Sequence, residues 1–175
     1  MHPARSIVLI GMMGAGKSSV GRALARRTGL TRFDTDEALT TQFGMSVTDI
    51  FGKQGEEKFR DAETELLRRL APDRGAVITT GGGIVLRPEN VARLKQLGTI
   101  VWLNGDESIL FERASRRNTR PLLQNNSSRG TFSELFRQRL SLYRAAADFE
   151  VDTSKLDHEE VAEMILSKIE ESAAP

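Results

Sequence analysis

The stretch Gly11-Met-Met-Gly-Ala-Gly-Lys-Ser18 satisfies the spacing G-x-x-x-x-G-K-[ST] through Gly11, Gly16, Lys17 and Ser18. Each residue type has a physical reason. Glycines let successive backbone N–H groups turn toward an anion, and the N-terminus of the following helix adds positive potential. A lysine at this spacing reaches the β- and γ-phosphates of a nucleotide, and the hydroxyl after it ligates Mg2+. A plain glycine-rich strand-to-helix turn would need fewer of these residues. The full spacing, set between an apolar strand and an amphipathic helix, points to a phosphate cradle and to phosphoryl transfer.

Two further clusters carry chemistry. Asp34 and Asp36 stand at the end of a short strand, and their side chains point to opposite sides if the strand persists. One would then support a Mg2+ shell while the other contacts an acceptor; the alternative is an acidic turn that caps the next helix. Gly81-Gly82-Gly83 costs conformational entropy on folding, so a reason for three in a row is expected. Close approach of the backbone to a ligand is one, and a loop tip needing positive φ is the other. Trp102 reads as core, and nothing recommends His2 or His158 as catalytic.

The elements that must position these residues follow from hydrophobic period. Ser6–Ile10 is a short apolar run of buried-strand type, followed by helical spacing from Lys17 to Gly29. Further strands are expected near 31–34, 76–80, 99–103 and 149–152. Helices are expected after Ser46, over Glu56–Leu70, over Pro88–Leu97, from Glu107, and from a Thr131/Glu134 capping box to Ala146. A last helix is expected over His158–Glu171. Strands apolar on both faces alternating with helices imply a three-layer α/β/α fold on a five-stranded parallel sheet. Ligands bind such sheets beyond the carboxyl ends of the strands, so Gly11, Asp34, Gly81 and Asn104 should share one edge.

The 175 residues suit one domain spanning 1–175, with 39% hydrophobic and 28% charged residues. No window approaches a membrane span. The opening residues run straight into a strand and leave no room for a signal peptide, so a cytoplasmic location is expected. The chain has no cysteine and a net charge of +1, which excludes thiolate metal sites and gives no broad basic field for nucleic acid.

Taken together, these residues resemble the shikimate kinases, a family of small P-loop kinases similar to the nucleoside monophosphate kinases. The matching elements are Gly11–Ser19 with Val20-Gly21, Phe33-Asp34-Thr35-Asp36, Ile50-Phe51, Gly55-Glu56, Phe59-Arg60 with Glu63, and Thr80-Gly81-Gly82-Gly83. Arg120-Pro121-Leu122-Leu123, and Arg139 ahead of Tyr143-Arg144, complete them. The resemblance implies phosphorylation of the 3-hydroxyl of shikimate by ATP with Mg2+ as cofactor, in a monomer with no nucleic-acid or membrane partner.

Roles come with the resemblance. It implies that Gly14, Ala15, Gly16, Lys17, Ser18 and Ser19 hold the nucleotide, that Ser18 and Asp34 support the metal, and that Arg113 packs on adenine near a loop at 152–155. It implies an acceptor region over about 34–63, in which Asp36 binds the ring hydroxyls and draws the attacking proton. Arg60, oriented by Glu63, and Arg139 clamp the carboxylate, and Gly81, Gly82 and Gly83 contact shikimate. A lid over about 116–130 brings Arg120 onto the transferred group. Lys17, Asp36 and Arg120 are thus the implied catalytic residues. Two other readings stay open: a kinase of the same scaffold with another acceptor, such as gluconate or a nucleoside monophosphate, and a binding protein that has lost catalysis.

Overall fold

A strand apolar on both faces is stable only between two layers of helix, and the central strands meet that condition. In a computed structural model that describes residues 5–116 and 128–173, every residue of β1 (Ser6–Ile10) and β3 (Ala76–Thr79) is buried. Together with β2 (Thr31–Asp34), β4 (Gly98–Asn104) and β5 (Phe149–Asp152) they form a parallel sheet in the order β2-β3-β1-β4-β5. Helices cover both faces in a three-layer α/β/α P-loop kinase fold. Helix α1 (Lys17–Thr28) packs on β3 and on α8 (His158–Ala173). Helix α5 (Pro88–Leu97) packs on β1, β4 and α4 (Glu56–Arg69), and α7 (Ser128–Ala146) packs on β4.

The order of strands decides where a ligand can sit. The chain passes over β3 to reach β2 and over β1 to reach β4, so the turn after β1 lies at the switch point of the sheet. Registers Leu9↔Thr79, Ile10↔Trp102, Asp34↔Thr79 and Asn104↔Asp152 bring all five carboxyl ends to one edge. The expected clustering of Gly11, Asp34, Gly81 and Asn104 follows from this register.

Among the described residues, two hydrophobic clusters divide the interior. The larger one surrounds the sheet and includes Leu9, Ile10, Leu24, Ile78, Trp102 and Tyr143. Trp102 is core as expected, stacked on Tyr143 with centroids 6.0 Å apart. A second cluster, Leu39, Ile50 and Phe59, joins α2 (Thr35–Phe43), α3 (Val47–Gln54) and α4. These three helices carry the stretch read as the acceptor region.

Several boundaries differ from the sequence reading. Strand β2 stops at Asp34, because its carboxylate accepts from the backbone N–H groups of Asp36 and Glu37 and starts α2. Asp34 and Asp36 therefore do not sit on opposite sides of a continuing strand. Thr131 does not cap α7, which is already helical at Ser128. Phe132, fully buried against Phe111 and Phe136, and Arg129 over the Phe111 ring draw the preceding turn into the helix. Ser46 does cap α3, accepting from the Asp49 N–H at 3.1 Å. Most of the stretch read as a lid, Arg120 included, lies outside the described residues; Arg116 follows α6 (Glu107–Ser115) and 128–130 belong to α7.

Candidate active site

The turn after β1 needs backbone angles that side chains resist. Gly14 has φ 83° and Gly16 φ 86°, and a Cβ at Gly14 would overlap the carbonyl of Leu110. Helix α1 then opens at Lys17 with no side-chain cap and no acidic residue in its first turn. Its first turn therefore presents backbone N–H groups and positive potential to an anion, which is the electrostatic requirement of a phosphate site. Lys17 is buried, and its Nζ donates to the carbonyls of Gly11 (2.7 Å) and Met12 (3.0 Å).

A cavity of about 390 Å³ runs along this edge. Gly14 to Ser19 line one wall, Asp34, Asp36, Gly81 and Gly82 stand at one end, and Arg113 and Thr153 at the other. Asp34 caps α2 and also reaches the side chains at the phosphate turn. One oxygen caps α2, while Oδ2 accepts from Thr79 Oγ1 at 2.8 Å and Ser18 Oγ at 3.4 Å. Asp34 and Asp36 both line the cavity, because the strand ends at Asp34, whose extended N-cap backbone turns the chain into α2.

Behind Gly81 and Gly82 lies a buried charged cluster. Arg60 Nη1 pairs with Glu63 at 2.6 Å and Nη2 with Glu56 at 3.0 Å, and the guanidinium lies over the rings of Phe51 and Phe59. Burial would lower the Arg60 pKa, but Glu63 and Glu56 more than offset it and raise it. Glu63 is fully buried, and burial pushes its carboxyl up to about 7 against the pull of Arg60. Among the described residues, Glu63 Oε1 and Arg139 Nε are buried without a hydrogen-bond partner. An orphaned acceptor and an orphaned donor beside a cavity are what a polar ligand would satisfy.

Space rather than backbone angle accounts for Gly81 and Gly83. None of Gly81, Gly82 and Gly83 has positive φ. A Cβ at Gly81 would stand 2.9 Å from Asp36 Oδ1 and 3.1 Å from Glu63 Oε1, one at Gly82 3.4 Å from Arg139 Nη1, and one at Gly83 would overlap the Arg60 guanidinium. Gly81 and Gly82 line the cavity, whereas Gly83, Arg60 and Arg139 stand behind that lining. Tyr143 closes the cluster, its phenol donating to the Gly82 carbonyl. Burial pushes that phenol up to about 12, so it stays a donor at any working pH.

At the far end Arg113 donates to Thr153 Oγ1 (3.2 Å) and to the Thr153 carbonyl (2.9 Å), which ties α6 to the turn after β5. Sequence reasoning missed Leu156, Asp157, His158 and Val161, which line the same end. A signal was available. Asp157 and Glu160 form a capping box, Asp157 Oδ1 accepting from the Glu160 N–H and Glu160 Oε2 from the Asp157 N–H, which marks the start of α8, while the fold sets that start on the phosphate edge.

An uncapped helix start behind a glycine turn, with a buried lysine and a cavity that runs on to Asp34, Asp36 and Gly81, belongs to the class of ATP-dependent P-loop kinases. Comparison with known proteins narrows it. A family model described as shikimate kinase matches residues 13–170. The shikimate kinase of Thermodesulfovibrio yellowstonii is 45% identical over 166 residues, covering 95% of each chain. Among solved structures, the shikimate kinase of Acinetobacter baumannii in complex with shikimate superposes with a TM-score of 0.93 at 34% identity, covering 98% of this chain and 96% of that one. That of Aquifex aeolicus gives 0.83 at 35% identity, covering 96% and 98%. The chain belongs to the shikimate kinase family.

Proposed function

We propose that this chain transfers the γ-phosphoryl group of ATP to the 3-hydroxyl of shikimate, giving shikimate 3-phosphate and ADP in the route to the aromatic amino acids. One observation carries the choice of acceptor: behind Gly81 and Gly82, which line the cavity next to the phosphate cradle, Arg139 Nε and Glu63 Oε1 are buried and unpartnered among the described residues. A ring that carries both a carboxylate and hydroxyls supplies the missing acceptor and donor.

The placement of the side chains supports a role for each. The Gly14–Ser19 turn and the start of α1 hold the phosphates, and Lys17 exchanges its backbone carbonyls for the β- and γ-phosphate oxygens. Arg113, braced on Thr153, flanks the base. Arg60 and Arg139 take the carboxylate, Arg60 being aimed by Glu63, and the backbone of Gly81–Gly83 borders the ring. Asp36 accepts the hydrogen bond of the attacking hydroxyl. The 3-hydroxyl oxygen then bonds to the γ-phosphorus, the bond from that phosphorus to the β,γ-bridging oxygen breaks, ADP leaves, and the hydroxyl proton passes to Asp36.

The Ser18 hydroxyl and Asp34 Oδ2 face one another as hard oxygen donors, and Mg2+ suits such a pair because it takes few protein ligands and keeps its waters. Ser18 and Asp34 would hold Mg2+, which would supply charge neutralisation to the phosphates of the nucleotide. Arg120, whose role rests on the family resemblance, neutralises the transferred group. Most of the catalysis then comes from alignment and fixed charge.

The test is ADP release measured with shikimate, gluconate and nucleoside monophosphates as acceptors. Release that depends strictly on shikimate is expected. A better rate with another acceptor, or binding of shikimate without turnover, would overturn the reading.

A further inference from the structure

Asp34 Oδ2 is asked to serve three donors. Besides Thr79 Oγ1 at 2.8 Å and Ser18 Oγ at 3.4 Å, it meets Arg32 Nη1 at 3.3 Å. A carboxylate oxygen offers two in-plane lone pairs, so the three compete and the two longer contacts are the weaker. Arg32 has a second anchor. Its Nη2 donates to both carboxylate oxygens of Glu37, at 2.7 and 2.6 Å. Asp34 and Ser18 line the cavity, while Arg32 and Glu37 stand outside it. The phosphoryl-transfer roles above make no use of this pair.

A guanidinium and a divalent cation want the same oxygen and repel each other. We propose that Arg32 and Glu37 act as a counterion pair that sets the divalent-cation affinity of the Ser18–Asp34 site. Arg32 neutralises Asp34 while the cation is away and withdraws onto Glu37 when the cation claims Oδ2. This inference rests on the reading that Mg2+ is held by Ser18 and Asp34. Arg32 is a positioning residue in this scheme, since it touches neither nucleotide nor acceptor. Its side chain is 23% exposed and that of Glu37 61%, so the effect is partly screened and shrinks with salt.

The experiment is calorimetric titration with ADP, in EDTA and in excess Mg2+. The ratio of the two dissociation constants measures the coupling of metal to nucleotide without any turnover. In Arg32→Met that ratio is expected to rise roughly two- to fivefold, because the competing charge is gone. Arg32→Gln is the second variant and should act alike. In Glu37→Gln the ratio should fall by a similar factor, because Arg32 loses its alternative anchor. Combined with Arg32→Met, the Glu37→Gln effect should shrink, since Glu37 acts largely through Arg32. ADP affinity in EDTA reports the fold and should stay unchanged throughout. Ratios that do not move, or that move the same way in Arg32→Met and Glu37→Gln, would overturn the inference. Asp34→Asn separates the two levels. If it lowers the ratio while the Arg32 and Glu37 variants do nothing, the inference alone fails; if it leaves the ratio unchanged, the metal reading fails with it.

Discussion

The phenol of Tyr143, one-hundredth exposed, donates to the carbonyl of Gly82 and lies 3.9 Å from Met12 Sδ, so a side chain from α7 joins the phosphate turn to the acceptor turn. Peptide planes between glycines rotate cheaply, and this bond holds the Gly82 carbonyl away from the cavity. Tyr143→Phe keeps the stacking on Trp102 and leaves the carbonyl unsatisfied, at about 1–3 kcal/mol. The KM for shikimate is expected to rise roughly fivefold or more, with the KM for ATP within about twofold. Steady-state kinetics alongside a melting curve check this, and a lower Tm with unchanged KM values would reduce the bond to a structural role.

Glu63 gives the molecule a pH dependence whose sign can be worked out. Its carboxyl is raised from an unfolded value near 4.5 to about 7 in the folded chain, chiefly by burial. A native state that binds its proton more tightly than the unfolded state loses stability as pH rises. The contribution is fully present below about pH 4.5 and is lost as pH passes through 7. Relative to Glu63→Gln, whose amide does not titrate, the wild-type chain should therefore lose roughly 1–3 kcal/mol between pH 5 and 8. Denaturant unfolding of both proteins across that range measures it, and parallel pH profiles would contradict it.

Arg139 is buried with Nε unpartnered among the described residues, and carboxylate capture is its proposed role. Loss of a charge-assisted contact of this kind is worth roughly 10- to 100-fold in affinity. Arg139→Ala should raise the dissociation constant for shikimate by that factor and leave ADP binding in place. Calorimetry with each ligand separates the two, and equal losses for both would point instead to a disturbed fold.

Gly81 makes a steric prediction. The added methyl of Gly81→Ala would fall 2.9 Å from Asp36 Oδ1 and 3.1 Å from Glu63 Oε1, and Asp36 is the group that can yield. A shift of the carboxylate against the acceptor should lower kcat by roughly tenfold or more, with ATP binding little changed. Single-turnover kinetics would detect it, and a wild-type kcat would place Asp36 outside the reaction.

Much of this was legible in the chain because it depends on local order. The Gly11–Ser18 spacing, the apolar run before it and the helical period after it act within one strand–turn–helix unit. The parallel sheet followed from central strands apolar on both faces, such as Ser6–Ile10 and Ala76–Thr79. Ser46 and Asp49 show the same legibility at a helix start. Asp34 was harder, because capping α2 and facing Ser18 use different oxygens of one carboxylate and look like rival roles in a linear reading. His158 was passed over because nothing in its neighbours reveals that α8 begins on the phosphate edge.

The sequence by itself determined the phosphate cradle, the layered fold and, through motifs spread along the chain, the family. Only the tertiary structure decided that Gly81 and Gly83 leave room for Asp36, Glu63 and the Arg60 guanidinium, and that Tyr143 holds the Gly82 carbonyl. The reason is sequence separation. Glycine spacing and hydrophobic period are set by neighbours a few residues apart, whereas burial of Glu63, the orphaned Nε of Arg139 and the contest for Asp34 Oδ2 arise only where distant segments meet and water is excluded.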